Sequence, residues 1–296
     1  MRAPARLIPY LLLPLLALPA RGDDPVTTDP LPVEPPPSMT SIRIPSGDAV
    51  MNGIVYLPGG AGPHPVALVL HGLPGDERNL DLAQALRRGG WAVVFFHYRG
   101  AWGSGGRFAF DHVLEDVAAA VDWTLDDEVR AQHGFDAGAR ALVGHSMGGF
   151  AALTAGSADE HVGCIASLAG ANMSLLGAAA ADPAVAADLA ASIDGWVTGP
   201  LAGTSGAALV GEVVEAGARY DVVARAPDLA ARRVLLVAGE RDVVAAPAQH
   251  HDPVLAALEA AGGDVEALRL DDDHAFSASR IALARALVSW LAEGCR

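Results

Sequence analysis

The sequence predicts an α/β protein with a mostly parallel sheet of about eight strands, helices on both faces and an antiparallel start. Three observations carry this expectation. Short apolar runs alternate with segments of helical spacing along most of the chain. The runs are continuously apolar, as strands buried on both faces require. Between successive runs lies enough chain for the crossover helix that parallel strands need.

The elements follow in order. Residues 41–57 alternate and turn at Ser46-Gly47-Asp48, the pattern of an antiparallel hairpin, and Gly59, Gly60 and Gly62 mark a loop. Residues 66–70 form the first buried strand. Residues 80–88 have helical spacing and stop at Gly89-Gly90. Residues 92–96 are a second strand. Val113, Val117, Val121 and Thr124 then recur on one helical face. A strand over 139–143, a helix over 146–155 and a strand over 164–168 continue the alternation. Residues 171–228 are rich in Ala and Gly, with helical pieces and no clear strand, and read as a lid or cap inserted in the fold. The alternation resumes with a strand at 234–238, a helix at 246–261 and a strand at 265–270. A last helix puts Ile281, Ala284, Val288 and Leu291 on one face.

Of the 296 residues, 51% are hydrophobic. Without an export signal and a tail, roughly 255 remain, enough for one large domain. A net charge of −15 argues against nucleic acid as a partner, because phosphate backbones select clustered Lys and Arg. Residues 1–22 read as a signal peptide: Arg2 and Arg6 precede an apolar stretch over 7–20, and Ala20 and Gly22 are the small residues of a cut after Gly22. Pro9, Pro14 and Pro19 break that stretch, and no later apolar run reaches the ~18 residues of a stable membrane span. The protein is therefore expected to be exported, secreted or periplasmic. Residues 23–39, rich in Pro, Asp and Thr, are expected to form a flexible linker ahead of a domain over 40–296. Export would permit a bond between Cys164 and Cys295. Cys164, however, falls in a core strand far from the chain end, so the expectation is a buried thiol and a loose terminal one.

Gly144-His145-Ser146-Met147-Gly148 matches G-x-S-x-G between a strand and a helix, the context this motif needs. The glycines permit a sharp turn that exposes the Ser146 hydroxyl at a helix N-terminus, where developing negative charge is favoured. A serine hydroxyl needs a base, and His274, in the loop after the last strand, fills that role. Asp242, one turn past the preceding strand, is the choice for the acid that orients the imidazole. Glu240 and the run Asp271-Asp272-Asp273 are its rivals. Backbone N–H groups for an oxyanion are expected from Met147 and from Leu73 in His71-Gly72-Leu73-Pro74-Gly75, since Pro74 has no N–H. Trp102 and Phe108, with Trp196 and Tyr220 of the cap, are candidate substrate-lining residues, core packing being the alternative for the first two. Arg99 and Arg107 could meet an acidic group but are expected to be ion-paired. His250, His251 and Asp252 fit a solvated helix face better than a metal site, and His64 and His97 have no partner legible in the sequence.

Together, His71-Gly72, the elbow through Gly149, the acid at Asp242 and the pair Asp273-His274 resemble the α/β-hydrolase superfamily. His97-Tyr98-Arg99-Gly100, with Gly103, Gly105 and Glu115-Asp116, is similar to its prolyl oligopeptidase and dienelactone hydrolase branch. The resemblance implies ester or amide hydrolysis through an acyl-enzyme, with no metal or organic cofactor, Ser146, Asp242 and His274 acting as nucleophile, acid and base. The expected substrate is a small-molecule ester or a short peptide. Two departures matter. The oligopeptidases carry a propeller ahead of the catalytic domain that this chain lacks room for, and dienelactone hydrolases use Cys where this chain has Ser146. Ester hydrolysis is thus the leading expectation, with an aminopeptidase or acyl-peptide hydrolase second, Glu77, Asp81 or cap acids serving as the amine site. A non-catalytic binding protein on the same scaffold is the third.

Overall fold

The computed structural model describes residues 24–295, so the signal-peptide expectation for 1–22 and the first linker residue lie outside the described residues. One sheet holds eight strands, ordered β1-β2-β4-β3-β5-β6-β7-β8. β1 (Ser38–Ser46) and β2 (Ala49–Leu57) form the antiparallel hairpin, and β2 is also antiparallel to β4 (Ala92–Phe96). β3 (His64–Leu70), β4, β5 (Phe135–His145), β6 (Cys164–Leu168), β7 (Arg233–Gly239) and β8 (Asp264–Leu270) run parallel. The sheet matches the predicted class.

Each central strand feeds two cores, because successive side chains leave opposite faces. Val66, Leu68 and Leu70 of β3, with Val94 and Phe96 of β4, enter one core. It is closed by α2 (Phe110–Leu125) and α4 (Met147–Ala158). Ala67, Val69, Val93 and Phe95 enter the other, closed by α1 (Leu80–Arg88) and α11 (Arg280–Gly294). Full burial of each large apolar side chain contributes about 1.5–3 kcal/mol, so double-sided burial accounts for the continuous apolar runs.

Two boundaries differ from the sequence reading for identifiable reasons. A short helix, α3 (Asp127–His133), follows α2; Asp126 caps it through the amides of Glu128 and Val129, and Gly134 ends it in the left-handed region. Where one helix was expected after β7, there are two, α9 (Pro247–His250) and α10 (Asp252–Ala260). Pro253 removes an amide and crowds the preceding turn, which breaks the helix there. The segment between β6 and β7 contains α5 (Met173–Ala179), α6 (Pro183–Val197), α7 (Gly206–Ala216) and α8 (Ala226–Leu229).

Two expectations are corrected. Cys164 and Cys295 form a disulfide spanning 131 residues of chain. α11 packs Leu283, Leu287, Trp290 and Leu291 into the second core, and this docking carries Cys295 to the start of β6. Sequence distance hid a contact that helix docking creates. The start of the linker is also tied down. Arg88 donates to the carbonyls of Pro25 and Val26, and Arg285 pairs with Asp24, whose carboxyl is pulled down to about 2 by that partner. Among the described residues, no helix is long and apolar enough to cross a membrane.

Candidate active site

The chemistry-bearing loops all leave the carboxyl ends of adjacent parallel strands, where such sheets place their sites. β5 ends at His145 and α4 begins at Met147, so Ser146 alone makes the turn, at φ 58° and ψ −119°. The glycines around it are required sterically. A Cβ on Gly144 would lie 1.9 Å from the Gly148 carbonyl oxygen, and one on Gly148 would lie 2.2 Å from that of Leu70. The Ser146 amide donates to the Leu168 carbonyl at 2.9 Å, locking the elbow to β6.

His274 and Ser146 meet. The imidazole Nε2 lies 2.9 Å from the Ser146 Oγ, and its Nδ1 lies 2.6 Å from Asp242 Oδ2. The Asp242 side chain is 1% exposed and that of His274 20% exposed. The other Asp242 oxygen accepts the amides of Val244 and Ala245. Burial pushes the Asp242 carboxyl up, but the His274 hydrogen bond and these two amides outweigh it, and the net direction is down. An ionised Asp242 demands a proton on His274 Nδ1, which leaves Nε2 free to accept from the serine hydroxyl. The rival acids are committed elsewhere: Asp271 to Arg241, Asp272 to the amides of Asp273 and Ala278, and Asp273 to those of Ala275 and Ser277. Glu240 is exposed.

The loop after β3 runs against the nucleophile. A Cβ on Gly72 would come within 3.0 Å of Ser146 Cβ. The Leu73 N–H belongs to the same planar peptide as the Gly72 C=O, and that carbonyl accepts from His71 Nδ1 at 2.7 Å. His71 thereby sets the direction of the Leu73 amide. With Nδ1 donating, His71 Nε2 is an acceptor, and His97 Nδ1 stands 3.3 Å from it. Desolvation holds the His71 imidazole down at about 4 and that of His97 at about 3, so both are neutral near pH 7. Met147, the other expected donor, is the first residue of α4.

The four expected substrate-lining residues separate. Phe108 is buried and packs edge-on against Phe110 in the core, and Tyr220 is buried with its hydroxyl donating to Asp111 and Glu212. Phe108 thus takes the core-packing alternative rather than the substrate-lining one, and the expectation for Tyr220 is corrected, its ring and hydroxyl being taken by packing and hydrogen bonds. Trp196 is 51% exposed on α6. Trp102 is half-buried beside the loop after β3. Arg99 is ion-paired with Glu115 and Asp116, as expected.

Three contributors carried no sequence signal of their own. His145 fills a variable position of the elbow motif, yet its Nε2 donates to the His274 carbonyl at 2.8 Å, and burial holds its imidazole at about 4. Glu212 of α7 accepts the first amides of α2, from Phe110 at 2.9 Å and Asp111 at 2.6 Å, a cap supplied across roughly a hundred residues of chain. Asn172 joins the two ends of segment 171–228. Its amide donates to His250 Nδ1, its Nδ2 donates to Asp221, and its Oδ1 accepts the Val222 amide.

A family model described as the alpha/beta hydrolase fold matches residues 65–291. The chain belongs to the α/β hydrolase fold family. Solved structures of this fold superpose over most of its length. A Pyrococcus furiosus esterase aligns at TM-score 0.66 and 17% identity, covering 88% of this chain and 92% of that one. Est1E from Butyrivibrio proteoclasticus, with ferulic acid bound, aligns at TM-score 0.63 and 18% identity, covering 85% and 98%. A Pyrococcus horikoshii acylaminoacyl peptidase aligns at TM-score 0.62 and 15% identity, covering 88% of this chain and 42% of that one. At these identities the likeness is one of α/β hydrolase fold. No curated protein matches the sequence.

Proposed function

We propose that this α/β hydrolase cleaves carboxylic esters by serine catalysis through an acyl-enzyme. One observation carries the reading: a single imidazole, His274, stands within hydrogen-bond distance of both Ser146 Oγ, at 2.9 Å, and buried Asp242, at 2.6 Å. His274 Nε2 takes the hydroxyl proton as Ser146 Oγ attacks the ester carbonyl. The oxyanion is held by the N–H groups of Leu73 and Met147. Collapse of the tetrahedral intermediate expels the alcohol, which receives the proton from His274. Water, deprotonated by the same imidazole, then releases the acid. Asp242 stays ionised and stabilises the imidazolium.

Esters are favoured over aminoacyl amides because three of the acids that could hold a free amine are engaged elsewhere. Asp81 pairs with Arg280, Glu212 caps α2, and Glu77 accepts the Asn79 amide. Residues 171–228 serve as the cap over the site, with Trp196 available to an acyl or alcohol group. Export through the 1–22 signal is consistent with the Cys164–Cys295 disulfide, which an oxidising compartment favours.

The test is hydrolysis of an activated ester and the matching anilide by wild type and Ser146→Ala, with fluorophosphonate labelling of both. Ester turnover and labelling that vanish together in the variant are expected. Wild-type rates in Ser146→Ala would overturn the reading, and a preference for the anilide would replace the ester by a peptide bond.

A further inference from the structure

Resting on the ester-hydrolase reading, we propose that Trp102 is a positioning residue that braces the oxyanion loop against the cap, rather than a wall of the substrate pocket.

Leu73 is gripped from both sides. Ahead of it, the Gly72 carbonyl is held by His71 Nδ1 at 2.7 Å. Behind it, the Pro74 carbonyl accepts the Trp102 indole N–H at 2.9 Å. A third bond, from the Tyr98 hydroxyl to the His71 carbonyl at 3.2 Å, fixes the start of the loop. Holding the Gly72–Leu73 peptide and, one peptide beyond Leu73–Pro74, the Pro74–Gly75 peptide restricts the freedom the Leu73 N–H would need to turn away from a developing oxyanion.

The indole is itself held on three counts. The Arg78 guanidinium lies 4.5 Å from its ring centroid. Gly75 leaves room for it: a Cβ there would come within 2.7 Å of the indole nitrogen and 2.8 Å of His71 Cε1. The Trp102 backbone sits at φ 47°, a conformation a bulky side chain adopts only when its surroundings impose it. What imposes it is the cap. The Trp102 amide donates to the Pro200 carbonyl at 2.8 Å, Ala202 donates to Gly100 at 2.7 Å, and Phe108 donates to Ala202 at 2.9 Å. The path from cap to oxyanion loop thus runs from residues 200–202 through the Trp102 backbone and indole to Pro74.

A brace and a pocket wall differ kinetically. A wall contributes to substrate affinity, whereas a brace contributes only where the oxyanion forms. Trp102→Phe keeps an aromatic face under Arg78 and deletes the donor. The expected result is a fall in kcat of about tenfold, smaller than the 10²–10³ for losing an oxyanion donor outright, with KM within about twofold. Affinity for a trifluoromethyl ketone mimic of the tetrahedral intermediate should fall by the same factor, and that for a non-reactive substrate analogue should not change. If Trp102→Phe is unfolded at the assay temperature, benzothienylalanine at 102 replaces only the N–H by sulphur and keeps the shape. Unchanged kcat would overturn the proposal, as would a raised KM at unchanged kcat or equal loss of both ligands. Ser146→Ala, assayed alongside, separates the two readings. If it retains turnover, the ester mechanism fails. If it is inactive while the Trp102 variants keep wild-type kcat, only the brace fails.

Discussion

Opening the Cys164–Cys295 bond should cost much of the protein's stability and little of its activity. The bond closes a loop across a sequence separation of 131, and in the chain-entropy description a loop of that length constrains the unfolded chain by about 5 kcal/mol. The native state loses little, because α11 keeps Leu283, Leu287, Trp290 and Leu291 buried. Arg233 also donates to the Trp290 carbonyl at 2.6 Å. Both sulphurs are buried, so Cys164→Ala/Cys295→Ala adds about 1–2 kcal/mol of lost packing. Urea titration of oxidised wild type, reduced wild type and the double variant measures the difference. Its thermal counterpart is a midpoint lowered by at least about 10 °C. Ester turnover at 25 °C, well below that midpoint, should stay near wild type, since the bond sits at the opposite end of the strands from Ser146. A stability change under about 1 kcal/mol would refute the reasoning, because the loop would then not be closed in solution. Lost activity in a still-folded variant would equally show that the bond shapes the site.

Two further outcomes are expected. Asp242→Asn should leave KM near wild type and lower kcat by about 10⁴-fold, because an amide that donates to Nδ1 forces the wrong imidazole tautomer; steady-state kinetics on an activated ester check this, and a loss under about tenfold would count against Asp242 as the orienting acid. Acid should destabilise the fold well above the carboxylate range. His71 and His145 are buried and neutral, with imidazoles held at about 4 by desolvation, so the unfolded chain binds their protons near its ordinary 6.5 and the folded chain does not. Stability should therefore fall as pH drops from about 6.5 to about 4, approaching ~1.4 kcal/mol per pH unit for each histidine. Urea midpoints across that interval check the slope, and a flat profile would contradict buried, neutral imidazoles.

The legible parts of this protein are those set by short stretches of chain. Double-sided burial writes itself as continuous apolar runs, so the parallel sheet and its helices are readable from residues 66 to 291. A strained elbow needs small neighbours, so Gly144 and Gly148 mark Ser146. Because parallel connections deliver every loop to the same sheet edge, the residues following β5, β7 and β8 could be grouped before any distance was known. Contacts across the fold left no such trace. The disulfide depends on where α11 docks. Trp102, Phe108 and Tyr220 are interchangeable aromatics in sequence, and only packing separates an indole bonded to Pro74 from a ring in the core and a hydroxyl shared by Asp111 and Glu212. His145, His71 and His97 act through directional hydrogen bonds to partners that spacing does not specify. Periodicity is imposed residue by residue along the backbone, whereas the direction of one N–H is decided by whatever atoms the finished fold sets in front of it.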